Sequence, residues 1–145
     1  MQITVRAYTT RGIGRPDYSG YSIDYPMPVD EVHPLQDPVT ILTLVSPTTT
    51  AVITCDLMAD CSYAVKGSMI VISTLDQACE VYLIGNQYDT AVGAVMIGRV
   101  EVCAATDNIA LTWDRGAFAK YIGAIFTPQV APTAGSITAI MQNQE

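Results

Sequence analysis

Nucleophiles and bases are few in this sequence, and their spacing limits the chemistry open to it. The single histidine, His33, precedes Pro34 in a proline-rich stretch, and the thiols are Cys55, Cys61, Cys79 and Cys103. Nucleophilic catalysis of the Ser–His–Asp or Cys–His kind would have to recruit His33, and no Gly-x-Ser-x-Gly elbow exists. A zinc site calls for paired ligands at short spacing, whereas these cysteines stand 6, 18 and 24 residues apart with no C-x-x-C. Asp56 with Asp60, or Asp76 with Glu80, are the acids whose spacing would let two carboxylates converge for glycoside hydrolysis. Asp56 to Asp60 also brings two acids close enough for a calcium loop, but without EF-hand spacing. Acids at surface turns account for both patterns. Arg11-Gly-Ile-Gly-Arg15 contains G-x-G but lacks the third glycine and the following helix of a phosphate cradle. The expectation is a non-enzymatic protein without cofactor or metal.

The composition points to a surface made to be covered. The chain has 145 residues, of which 50% are hydrophobic and only 14% charged, with a net charge of −7. An average soluble chain is about 25% charged. So apolar a chain can bury a core, which excludes intrinsic disorder as a class. Seven Lys and Arg against fourteen Asp and Glu exclude a nucleic-acid binder, which needs clustered cations to neutralise phosphate. The most apolar run, Thr90 to Gly98, stops at Arg99 and Glu101, far short of the roughly 20 residues a spanning helix needs. No membrane contact is expected. The first ten residues lack the charged and apolar regions of a secretory signal, so export by that route is not expected and the cysteines read as reduced, partly buried thiols.

The charge is partitioned along the chain. Residues 1–15 hold Arg6, Arg11 and Arg15 and no acid, whereas residues 16–38 hold five acids and no base. Tyr8, Tyr18, Tyr21 and Tyr25 fall in the first 25 residues, and Pro16, Pro26, Pro28, Pro34 and Pro38 follow at short intervals. Proline fixes φ, removes a donor and pushes its predecessor toward extended geometry. Residues 1–38 are therefore read as a short edge strand, Gln2 to Arg6, and an extended docking arm. Tyrosine and arginine dominate binding hot spots, so Tyr8, Arg11, Arg15, Tyr18, Tyr21 and Tyr25 are the candidate partner-binding residues.

From Val39 to the C-terminus the sequence reads as strands, giving a β domain at 39–145. Val39–Val45 is β-branched and ends at Ser46-Pro47. Residues 51, 53, 55 and 57 alternate as an apolar face. Residues 62–65 and 68–74 read as two strands about a Lys66-Gly67 turn, and 78–84 as a strand closed by Gly85-Asn86. Residues 94–105 alternate with Val100 and Val102 inward against Arg99 and Glu101. Thr106 to Asn108 turns into 109–113, whose apolar face is Ile109, Leu111 and Trp113, and Asp114 to Gly116 turns again. Residues 118–127 fit strand or short helix equally, and 136–141 is a strand after a Pro128–Pro132 breaker. Short strands at this spacing imply an all-β, antiparallel β-sandwich, jelly-roll-like or Ig-like, carrying an extended N-terminal arm.

Tyr8-Thr-Thr-Arg-Gly-Ile-Gly-Arg-Pro-Asp-Tyr-Ser19 ahead of a small acidic β domain resembles the small virion proteins of tailed bacteriophages. In size and texture the chain is similar to capsid decoration, or cement, proteins. The resemblance brings over no catalytic residue. It implies a structural protein that is made in the host cytoplasm and binds the major capsid protein on the capsid exterior, where it clamps neighbouring capsomers. A neck or tail component belongs to the same family space. Hiding the apolar surplus would also suit a homo-oligomer, a dimer or trimer. The competing reading is a carbohydrate- or ligand-binding β-sandwich with Trp113, Tyr82, Tyr63 and Tyr121 as its aromatic cluster.

Overall fold

The structure is a computed structural model that describes residues 34–114 and 119–145. The edge strand read at 2–6, the docking arm up to residue 33 and the turn at 115–116 lie outside the described residues, whereas Leu35, near the end of the arm, bridges Gln144. The remainder forms β1 (Val39–Val45), β2 (Ile53–Thr54), β3 (Ala59–Asp60), β4 (Lys66–Ser73), β5 (Cys79–Asn86), β6 (Val95–Cys103), β7 (Asn108–Asp114), β8 (Tyr121–Pro128) and β9 (Ile137–Gln144). There is no helix among the described residues.

The strands make two antiparallel sheets. One has the order β1-β9-β4-β7; the other has β2-β8-β5-β6, with β3 also pairing β8. Taking β2 and β3 as one interrupted strand explains the topology simply. From β1 to β9 the strands follow a single long hairpin bent at the β5–β6 connection, and its successive strand pairs fall in alternating sheets. β5 pairs β6, β4 pairs β7, the broken strand pairs β8, and β1 pairs β9. This is the strand order of a jelly roll, so the β-sandwich expected from the sequence is of that kind.

The period of two is what builds the core. In β4, Met69, Val71 and Ser73 are buried while Ile70 and Ile72 are exposed. In β9, Ile137, Ala139 and Met141 alternate with half-buried neighbours. In β8, Ile122, Ala124 and Phe126 are fully buried. That strand occupies the stretch left open between helix and strand, and β-branched Ile122 and Ile125 fit its pleat. Trp113 and Leu111 join the core from β7, as their alternation implied.

Local expectations fail where side chains do backbone work. Residues 51–57 do not form one strand: only Ile53–Thr54 pairs β8, and Leu57 is 45% exposed. The amides of Asp56 and Leu57 instead donate to the Ile41 carbonyl of the other sheet, at 2.7 and 3.4 Å. Residues 62–65 are a turn, and Lys66-Gly67 lies inside β4 opposite Asp114 and Trp113. The turn moves because Asp60 accepts hydrogen bonds from the Ser62 amide and hydroxyl, an Asx-type lock. Gly85 and Asn86 continue β5, paired with Ile122 and Tyr121, and do not end it. Asn86 organises the following loop from the strand end, donating to the carbonyls of Thr90 and Val92 at 2.7 and 3.0 Å. Asp114 belongs to β7, Pro128 closes β8 as a buried residue, and β9 runs on to Gln144.

Candidate interaction surface

The largest departure from the sequence pattern is on β6, the edge strand of its sheet. Val100 and Val102, expected inward, point to solvent, and Ile97, Glu101 and Cys103 are the more buried positions. Exposure reaches 66% at Val95, 52% at Met96 and Val102, and 43% at Val100. The register is the cause: Glu101 and Cys103 stand opposite the core-facing Val81 and Cys79, which leaves Val102 on the outer face, and beyond Glu101 the strand is bulged. Val81 pairs Glu101 and Leu83 pairs Ile97, so two residues of β5 span four of β6. Gly98 absorbs the detour at φ 75°, a left-handed conformation that a side chain resists. Arg99 and Glu101 bond each other along the strand, Nε to Oε2 at 2.8 Å. The loop before β6 extends the apolar character through Val92, itself strongly exposed.

The acids do local structural work. Asp56 accepts from the Thr43 amide at 3.0 Å, and Glu80 accepts from the Gln129 side chain at 3.2 Å. The Ser62 hydroxyl and amide hold the Asp60 carboxyl below the usual range, and those of Thr133 do the same for Asp76. No group of three metal-ligating side chains occurs among the described residues. All four thiols are free and buried. Burial pushes Cys61 and Cys79 up to about 11, and it raises Cys55 and Cys103 too. Such thiols are poor nucleophiles at neutral pH.

The four aromatics proposed for sugar binding do not assemble. Trp113 is a core residue of one sheet, Tyr82 and Tyr121 belong to the other, and Tyr63 stands exposed in the turn after β3. One feature near Trp113 was not legible in the sequence. A cavity of about 700 Å³ is lined by Lys66, Ser68, Ile97, Trp113 and Gln142 among others. The Trp113 indole Nε1 is buried and finds no acceptor there. The candidate partner-binding residues Tyr8, Arg11, Arg15, Tyr18, Tyr21 and Tyr25, and His33, lie outside the described residues.

No protein-family model matches the chain, and no curated protein matches its sequence. Among solved structures, the SPBc2 prophage-derived protein YomS is similar at a TM-score of 0.45 and 11% identity, covering 82% of this chain and 100% of its own. PirA is similar at 0.43 and 11% identity, covering 80% and 97% respectively. A chain of the infectious bursal disease virus Gx strain structure is similar at 0.41 and 12% identity, with 88% and 36% covered.

Proposed function

We propose that the protein is a non-enzymatic structural component of a virion, specifically a capsid decoration (cement) protein held on the exterior of a major capsid protein lattice. The observation that carries this reading is the exposure of four apolar side chains on the edge strand β6, Val95, Met96, Val100 and Val102, of which Met96, Val100 and Val102 share the outward parity. A monomer surface seldom groups such side chains unless a partner covers them. The sparse charge of the whole chain points the same way. The jelly roll adds support by analogy only, since that architecture recurs in viral capsid and lectin domains alike. In this reading Tyr8, Arg11, Arg15, Tyr18, Tyr21 and Tyr25 supply further contacts to an acidic face of the capsid. The same apolar row would serve a dimer or trimer of the protein before it docks.

The cavity beside Trp113 favours a second reading, a ligand-binding module, because an unpaired indole N–H calls for an acceptor. One experiment separates the two. Purified capsids lacking the protein are mixed with wild type or with a Val100→Lys/Val102→Lys variant, and co-sedimentation is measured. The cement reading expects saturable binding by wild type and at least about tenfold weaker binding by the variant. Equal binding by both proteins would discard the β6 row. Wild type that ignores capsids yet binds a glycan array through Trp113 would replace the first reading with the second.

A further inference from the structure

Cys79 opens β5 and Cys103 closes β6, and the two are direct partners in the antiparallel register. Both side chains are fully buried, so both face the core side of the sheet. Directly opposed residues in such a pair have Cα atoms about 4.5–5.5 Å apart, inside the roughly 4.4–6.8 Å that a disulfide spans. The sulfurs hydrogen-bond with backbone groups, Cys79 with that of Thr127 among them, and such bonds are weak for sulfur. Cys79 Sγ lies 3.6 Å from the Glu80 carbonyl and Cys103 Sγ 3.3 Å from that of Asp107. The Cys103 thiol also adds to the rise of the Cys79 pKa, behind the larger effect of burial, which fits two adjacent sulfurs.

The other thiols have no such partner. The Cys55 amide donates to the Ala124 carbonyl and the Cys61 amide to that of Lys120. Those anchor points are four residues apart on extended chain, about 13 Å, well beyond disulfide reach.

We propose that Cys79 and Cys103 form a disulfide site that staples the edge strand β6 to β5 when the protein meets a low-molecular-weight disulfide such as oxidised glutathione. One cysteine, ionised once fraying of the strand end exposes it to water, attacks the glutathione disulfide as its thiolate, forming a mixed disulfide and releasing one glutathione. The second cysteine thiolate attacks the protein sulfur of that bond and releases the other glutathione. The protein loses two thiol protons and two electrons, and one oxidised glutathione takes them up to become two reduced ones. Both sulfurs lie at the open end of the β5–β6 ladder, so fraying of that end gives the oxidant access. The inference does not depend on the virion reading.

The test uses the full chain, purified reduced, then incubated with oxidised glutathione and alkylated under denaturing conditions. Two of the four thiols are expected to escape alkylation, with a mass loss of two hydrogens and a peptide map that links Cys79 to Cys103. Closing this loop is expected to raise the Tm by roughly 5–10 °C. Cys103→Ser is expected to abolish the link and leave Cys79 free or glutathionylated. Four alkylated thiols after a treatment that oxidises the unfolded chain would overturn the proposal, as would any other pairing. The wild-type map decides the matter alone if the variant does not fold.

Discussion

Gly67 and Trp113 show how much one missing atom governs in this sandwich. The two face each other across β4 and β7, and a Cβ at residue 67 would stand 2.6 Å from the indole Cζ2. The indole lies flat over that glycine because nothing else occupies the space. Gly67→Ala is therefore expected to destabilise the fold by about 1–3 kcal/mol through overpacking, read as a lower denaturation midpoint at an unchanged m-value. An unchanged midpoint would show that the indole has room to swing aside. The core role of Trp113 was legible from its alternation with Ile109 and Leu111. The role of Gly67 was not, since Lys-Gly between two apolar runs has the composition of a hairpin turn. What decides it is a contact with a residue far along the chain, and such contacts leave no local signature.

At the scale of elements, the connections are braced by side chains that sequence reading assigned only to the surface. The Asp76 carboxylate, in the β4–β5 connection, accepts hydrogen bonds from the Thr133 amide and hydroxyl in the β8–β9 connection. These bonds hold its pKa below the ordinary 3.8. The folded state then binds fewer protons than the unfolded one in this range. The stabilisation is full above pH 3.8 and is lost as pH falls through the lowered folded value. Asp76→Ala is expected to melt earlier at neutral pH and to lose less stability than wild type on acidification, measured as Tm against pH. Parallel acid limbs for the two proteins would remove Asp76 from this role. Strand position followed from alternation in β7, where Leu111 and Trp113 are buried and Ile109 half-buried between exposed neighbours. β6 defeated the same rule because its register sets Glu101 and Cys103, and not the valines, opposite the core-facing Val81 and Cys79, with a bulge beyond them. Gly98 was the one sequence sign of that bulge, and a glycine within a strand pattern has several explanations.

For the whole molecule, the long-hairpin path means that pairs near the bend are local and pairs near its ends are remote. β9 lies between β1 and β4, and β8 lies between the interrupted strand and β5. Residues 34–36 also belong to this closure, since the Gln36 amide donates to the Asn143 carbonyl and that of Glu145 to the Pro34 carbonyl, at 2.8 and 3.2 Å. A chain ending before Ile137 is expected to lack cooperative unfolding and to bind a hydrophobic dye, because β1 and β4 lose their shared partner. A sharp thermal transition in that truncation would refute the dependence. The all-β class and the sandwich were legible from strand count and spacing. The order of strands was not, because alternation says which face of a strand is buried and nothing about which strand lies beside it.

That placement of β9 also sets a clock on biosynthesis. At roughly 5–20 residues per second, β1 waits on the order of 5–20 s after its own synthesis before its neighbour is made. For that interval a β-branched, uncharged segment, Val39 to Val45, stands ready to pair with whatever it meets. Slowing the ribosome lengthens the exposure, and crowding many nascent chains together multiplies the wrong partners. The yield of soluble protein in a producing cell is thus a matter of translation speed and chaperone supply as much as of the stability of the finished sandwich.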